Sequence, residues 1–230
     1  MESELFTYNA NWFAADTADL SVFTQQKEIA FKSNNLKTHI DLKDRTGDFF
    51  SNGKGSYVDL PENQYICYID KLHWDMDEEL LTLGDLDENS KGSKFVSIHP
   101  KQDSLSFIAK TSTYNLKDNI ISVQGVNEIL IADAAIYPSD EGFIVEKNAF
   151  IPTITAARII ANTGTKYHEF SNASVNIDGD SKYTASGDYT YKDVNGQNQY
   201  IFFKEISVNK EGSTVAIGEV GNNEPFNIGS

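Results

Sequence analysis

Phe107-Ile108-Ala109, Leu130-Ile131-Ala132 and Ile154-Thr155-Ala156 stand 23 and then 24 residues apart, and the stretch that holds them, residues 105–161, decides the fold. Five positions beyond the first two alanines comes a tyrosine, Tyr114 and then Tyr137. Turn-forming residues separate the copies: Lys117-Asp118-Asn119, then Ser139-Asp140-Glu141-Gly142. A period of roughly 20–50 residues is what stacked units leave in a sequence, each unit too small to bury its own apolar face. The competing arrangement is an ordinary sheet with evenly spaced strands. On the repeat reading, Ala132 and Ala156 face inward and are tightly packed.

The same texture continues on both sides. Upstream, Leu36-Lys37-Thr38-His39-Ile40-Asp41-Leu42 alternates apolar and polar residues, the pattern of a strand with one face on a core. Leu20-Ser21-Val22-Phe23-Thr24 and Glu28-Ile29-Ala30-Phe31 read as separate shorter strands, and Asp44-Arg45-Thr46-Gly47 as a turn. Asn52-Gly53 is a strong turn dipeptide. Gly53-Lys54-Gly55 lacks the longer glycine pattern and following helix of a phosphate loop, so it too reads as a turn. Tyr65-Ile66-Cys67-Tyr68-Ile69 and Leu72-His73-Trp74 follow as strands, with a turn at Asp77-Glu78-Glu79 before a strand from Leu80. Downstream, Ala149-Phe150-Ile151 runs into Pro152, a residue for an edge or corner. Thr155-Ala156-Ala157-Arg158-Ile159-Ile160-Ala161 is too short to favour helix over strand. Beyond it, Tyr183-Thr184-Ala185, Asp188-Tyr189-Thr190-Tyr191, Tyr200-Ile201-Phe202-Phe203 and Ile206-Ser207-Val208 read as separate strands, with Ser186-Gly187, Asn195-Gly196 and Glu211-Gly212 as turns. Short strands at regular spacing, without a long helix, exclude a parallel βαβ architecture. The expected fold is all-β: an elongated stack of short strands, as a β-solenoid or an open jelly roll. Residues 1–230 are expected to form one continuous all-β domain. The turn-rich stretch 85–93 marks an internal division between an N-terminal β part, 1–88, and a repeat-like β part, 93–230.

Composition narrows the function. The chain has 230 residues, a net charge of -15, 14 Phe and 11 Tyr. Such an excess of acid repels phosphate backbones and anionic bilayers, which argues against nucleic-acid binding. No run of about 18 apolar residues occurs, so no membrane-spanning helix is expected. Cys67, the one cysteine, sits in an apolar run and reads as a small buried hydrophobe. No basic and apolar leader opens the chain. Together with the abrupt start Met1-Glu2-Ser3 and the trailing Asn222-Asn223-Glu224-Pro225, this favours a piece of a longer exported chain over a cytoplasmic protein.

Chemistry-bearing patterns are sparse. Asp85-Leu86-Asp87-Glu88-Asn89 begins like a calcium loop but has Ser90 where glycine is needed and Val96 where the twelfth-position glutamate belongs. His73 lies near Asp70, Asp75 and Asp77, but strand alternation puts it on a polar face opposite Trp74 and Met76. His39, His99 and His168 are scattered, with no metal-ligand spacing. Nucleophile-elbow, Cys-x-x-Cys and dinucleotide motifs are absent. The 34 acids offer many carboxylate pairs without singling one out. No catalytic residue, metal or cofactor is therefore expected. The tyrosine-rich C-terminal region supplies the candidate ligand contacts, Tyr183, Tyr189, Tyr191 and Tyr200. Exposed, they would stack on sugars; otherwise they form a cross-strand ladder that steadies a sheet.

Two resemblances carry further expectations. Asn52-Gly53-Lys54-Gly55-Ser56, Asn63-Gln64-Tyr65-Ile66-Cys67-Tyr68, His99-Pro100-Lys101-Gln102-Asp103-Ser104-Leu105, the stretch 126–134, Thr165-Lys166-Tyr167-His168 and Ala185-Ser186-Gly187-Asp188-Tyr189 resemble very large exported proteins of Bacteroidetes bacteria, a family with no established activity. The likeness spans residues 36–220. It implies an internal segment of a cell-envelope or extracytoplasmic protein, whose partners are other domains of the same parent chain. The pattern of alanine, Tyr114-Asn115, a turn, isoleucine and Gly125-Val126 is similar to the periplasmic bridge proteins of lipopolysaccharide transport. Those have an open OstA-like β-jelly roll with a greasy groove, which implies lipid handling. The expected function is thus a non-catalytic structural or ligand-guiding, lipid-binding segment. The alternative is a carbohydrate-binding or polysaccharide-cleaving module.

Overall fold

A computed structural model of the chain describes residues 6–24, 27–84, 91–165, 168–192 and 195–218. The acidic run at 85–89 lies outside the described residues. Among the described residues twenty strands account for the regular structure, with one turn of 3-10 helix at Lys147–Ala149. The first sheet has thirteen strands. They are β1 (Phe6–Tyr8), β2 (Trp12–Phe23), β3 (Ile29–Asp41), β4 (Thr46–Ser51), β5 (Tyr57–Leu60), β6 (Tyr65–Tyr68), β7 (Lys71–Asp75), β8 (Leu80–Gly84), β9 (Ser93–Ser97), β10 (Ser106–Ala109), β11 (Thr111–Asn115), β12 (Ile120–Gln124) and, after two strands of the other sheet, β15 (Phe143–Val145). The second sheet orders its seven strands as β13 (Ile129–Ile131), β14 (Ala134–Tyr137), β16 (Ile154–Ala161), β17 (His168–Gly179), β18 (Lys182–Lys192), β19 (Asn198–Val208) and β20 (Thr214–Gly218). Both sheets are antiparallel and curl into half-barrels, a jelly-roll-like all-β fold.

Strand β3 is the branch point of the first sheet. One edge takes β2. The other is shared: β5 pairs with Lys32 to Asn34, and β4 with Leu36 to Asp41. From β4 the sheet runs on through β7, β8, β11, β12 and β15; from β5 it runs through β6, β9 and β10. Asn35 stands at the division with φ 53°, a left-handed conformation that asparagine tolerates better than most side chains. Its N–H donates to Asp19 Oδ1 at 2.8 Å, and its carbonyl accepts from Ser56 Oγ at 2.7 Å.

A row of matching turns lines one end of this sheet. In each, a side-chain oxygen at the start accepts backbone N–H groups two and three residues on, the Asx-turn that lets Asp or Asn replace a backbone partner. Asn9 holds Asn11 and Trp12; Asp41 holds Lys43 and Asp44; Asp75 holds Asp77 and Glu78; Asn115 holds Lys117 and Asp118. The later three close on a left-handed residue, Arg45, Glu79 and Asn119, at φ 55°, 52° and 57°. Neighbouring turns then bond to one another. Leu42 N–H donates to Asn11 O, Met76 N–H to Arg45 O, and Leu116 N–H to Glu79 O. The sheet's hydrogen-bond ladder thus continues through its own turns.

One apolar cluster fills both half-barrels. Phe31, Phe49, Phe95, Phe107, Ile129, Ile154 and Tyr183 all belong to it. Phe107 centres its aromatic part, 5.2 Å from Phe95 and 5.1 Å from Phe143 between ring centres. Cys67 is fully buried there, and burial pushes its thiol well above the ordinary range. Polar crosslinks fix the loops over this core. Asn63, wholly buried, donates to Asn119 O at 2.7 Å and Val145 O at 3.1 Å. Gln102 donates to Ala149 O at 2.7 Å. Asp133 Oδ1 accepts from both the N–H and the hydroxyl of Thr214.

The structure corrects the repeat reading at its alanines. Ala109 is buried, but Ala132 lies in the β13–β14 turn and Ala156 at a register shift of β16, and both are exposed. Each has positive φ, 51° and 53°, so these positions answer to backbone curvature and not to core packing. Several expected breaks are also absent. Residues 29–41 form one strand across Asn34-Asn35, and Ser186-Gly187 lies inside β18. Gly187 is there for closeness: a β-carbon on it would sit 3.1 Å from the Ala173 side chain and from Ser171 O. Residues 149–151 are not strand; Ala149 ends the 3-10 turn.

Replacing Asn115 by alanine leaves two turn N–H groups to water and should cost about 1–2 kcal/mol, read as a lower denaturant midpoint. Ala132→Gly relieves a left-handed alanine and should raise stability by about 1 kcal/mol, where an inward-packed alanine would lose stability on the same change.

Candidate functional site

The row of turns does more than close hairpins. Together with the β2–β3 connection and the 3-10 turn it encloses an open cleft of about 720 Å³, within the range of small-molecule sites. Its apolar lining is Val22, Phe23, Ala30, Trp74, Met76 and Leu116. Met76 and Leu116 are the first loop residues of two successive turns, so the ladder between turns sets their spacing. Trp74 packs edge-on against Phe31 at 5.5 Å, and its indole N–H is enclosed with no acceptor in the protein.

The rim is charged. Arg45, Lys117 and Lys147 line it together with Glu28 and Glu79, so three cationic side chains gather here on a chain of net charge -15. Arg45 pairs with Asp77, and Lys147 Nζ lies 3.0 Å from Glu62 Oε2. Both pairs are solvent-exposed, so each is held weakly and open to exchange for an incoming anion. The cleft can therefore take a molecule with an apolar part and an acidic end.

The tyrosines expected to contact a ligand are divided between the two faces of the second sheet. Tyr183 is wholly buried, its hydroxyl 2.9 Å from Thr214 Oγ1. Tyr189 packs among Phe170, Phe203 and His168, with ring centres 5.6–5.9 Å apart. Tyr191 pairs across strands with Gln199, whereas Tyr200 pairs with Thr190, so strand alternation puts Tyr200 on the opposite face from the other three. Tyr200 is 70% exposed. The histidines are likewise dispersed. His73 Nδ1 lies 2.8 Å from Asp48 Oδ1, while Asp75 is committed to its turn and Asp77 to Arg45. His39 stacks on Trp12 at 5.7 Å. Among the described residues no group of three or more His, Cys, Asp or Glu side chains is gathered for a metal ion.

The cleft was legible in part. Asp41-Leu42-Lys43-Asp44-Arg45 and Asn115-Leu116-Lys117-Asp118-Asn119 share Leu-Lys-Asp after an Asx residue. That match, aligned with Asp75-Met76-Asp77-Glu78-Glu79, marks the stacked turns directly. Regular spacing of alanines does not.

No protein-family model matches the chain, and comparison with curated proteins and with solved structures finds no match.

Burial raises the phenol groups of Tyr65 and Tyr114 well above the ordinary tyrosine range and pushes that of Tyr183 up to about 12. The native state then holds protons that the unfolded chain releases. This stabilisation is complete below the ordinary tyrosine value of 10.0 and is lost as pH rises through the native values. Phenolate absorbance should accordingly show a class of tyrosines that ionises only with loss of the far-ultraviolet sheet signal. Smooth titration of all tyrosines in a folded protein would contradict the burial.

Proposed function

We propose that this chain is a non-catalytic segment of a larger exported cell-envelope protein, and that the cleft holds and guides an amphiphile. The observation that carries this reading is the gathering of three cationic side chains, Arg45, Lys117 and Lys147, beside an apolar lining on an acidic molecule. An acyl chain lies against Trp74, Met76 and Leu116, where each methylene removed from water contributes about 0.8 kcal/mol. An acidic head sits among Arg45, Lys117 and Lys147, exchanging weak surface pairs for charge-assisted hydrogen bonds. The interior of the half-barrels is packed with side chains, so the ligand rests in this cleft at the end of the sheet and does not thread it. Other domains of the parent chain, in an extracytoplasmic setting, would deliver and receive it.

Trp74 and Trp12 are the two tryptophans of the chain, which gives a direct test. Doxyl-labelled stearate should quench emission saturably in the wild type and in Trp12→Phe, but not in Trp74→Phe. Met76→Glu, a charge on the cleft floor, should abolish the quenching. Absence of saturable quenching in the folded wild type, or equal quenching in Trp74→Phe, would overturn the proposal.

A further inference from the structure

A second groove, of about 360 Å³, opens beside the fork of the first sheet. Ser21, Lys32 and Asp59 stand there as successive cross-strand partners of β2, β3 and β5, and Asn34 and Tyr57 form the next row. Strand alternation puts Lys32, Asn34, Tyr57 and Asp59 on one face. Tyr68 of β6 lies outside the groove's lining but beside Tyr57 at its edge, ring centres 6.3 Å apart, and is 45% exposed.

Asp59 is the unusual member. Its Oδ1 is enclosed by protein and has no donor, a condition that costs free energy in a folded chain. The residue is nonetheless part of the groove's lining. Burial raises its carboxyl above the ordinary value, opposed by the charge of Lys32, yet no ion pair closes between the two within 4.0 Å among the described residues. A carboxylate already half stripped of water gains more from a donor than an exposed one does, because less desolvation remains to be overcome.

We infer that this groove is a binding site for a neutral glycan. Sugar hydroxyls both donate and accept. One donates to Asp59 while its neighbours accept from Lys32, and a pyranose ring lies against Tyr57 and Tyr68, burying its apolar C–H face on the aromatic edge of the site. Competing ligand classes fit less well. Asp19 and Asp59 repel an anion, Lys32 repels a cation, and a groove in the middle of a paired sheet offers no free backbone edge to an extended peptide. The site is independent of the cleft and of any amphiphile bound there.

The test is a glycan array of neutral plant and bacterial oligosaccharides, followed by calorimetric titration of the strongest binder. Wild type should bind. Asp59→Ala and Tyr68→Ala, both at partly exposed positions and checked for folding by circular dichroism, should each weaken binding by roughly tenfold or more. Tyr200→Ala should leave affinity unchanged. A flat array overturns the inference. So does binding that survives both groove variants, or binding lost only in Tyr200→Ala, which would place the sugar on the second sheet.

Discussion

The structure depends on one local interaction used four times: a side-chain oxygen at the head of a turn accepting the backbone N–H groups that would otherwise have no partner. A curled sheet of short strands must reverse direction often, and every reversal strands polar backbone groups beside an apolar core. Asn9, Asp41, Asp75 and Asn115 answer this from within their own turns. Because the turns are satisfied internally, their flanks are free to bond sideways, and Arg45 and Glu79 carbonyls take the N–H groups of Met76 and Leu116. The strands are thereby kept in register up to their very ends, and the side chains that follow each Asx residue are presented at a fixed spacing. The cleft is a by-product of that ordering.

The all-β character was readable from the alternation at residues 36–42, the Asn-Gly turns and the lack of a long helical period. Where the reading failed, the cause is physical. Gly187 and Asn35 look like breaks, since both residue types are common in turns. In the folded chain one permits close approach to Ala173, and the other a left-handed kink within a continuing strand. Propensity records what a residue tolerates, not which tolerance is used. The alanine spacing misled for a related reason: Ala109, Ala132 and Ala156 occupy a strand, a turn and a bulge. Their equal separation reflects similar strand lengths and not equivalent environments. The stacked turns are spaced unequally, 32, 34 and 40 residues apart, so a search for a fixed period passes over them.

Sites were less legible than the fold, because aromatic residues serve core and surface alike. Tyr183 and Tyr65 look no different in sequence from Tyr68 and Tyr200, yet the first two are wholly buried and the last two face solvent. Only register separates them. The same holds for charge. An excess of acid over the whole chain conceals the gathering of Arg45, Lys117 and Lys147 at one cleft, drawn from distant parts of the sequence.

The ladder between turns also bears on how such a molecule can change over generations. A hairpin capped in this way offers an acceptor on one flank and a donor on the other, both drawn from its own backbone. A duplicate inserted beside it meets the same pair of groups that its parent met, and so does the neighbour it displaces. Growth or loss along the β7–β8 direction therefore proceeds in units of one hairpin without new side-chain contacts having to arise at the turns. The branch at β3 has no such freedom, since its three partners are fixed by Asn35, Ser56 and Asp19. The branch and the row of the first sheet thus live under different rules: one is a fixed anchor, the other extensible.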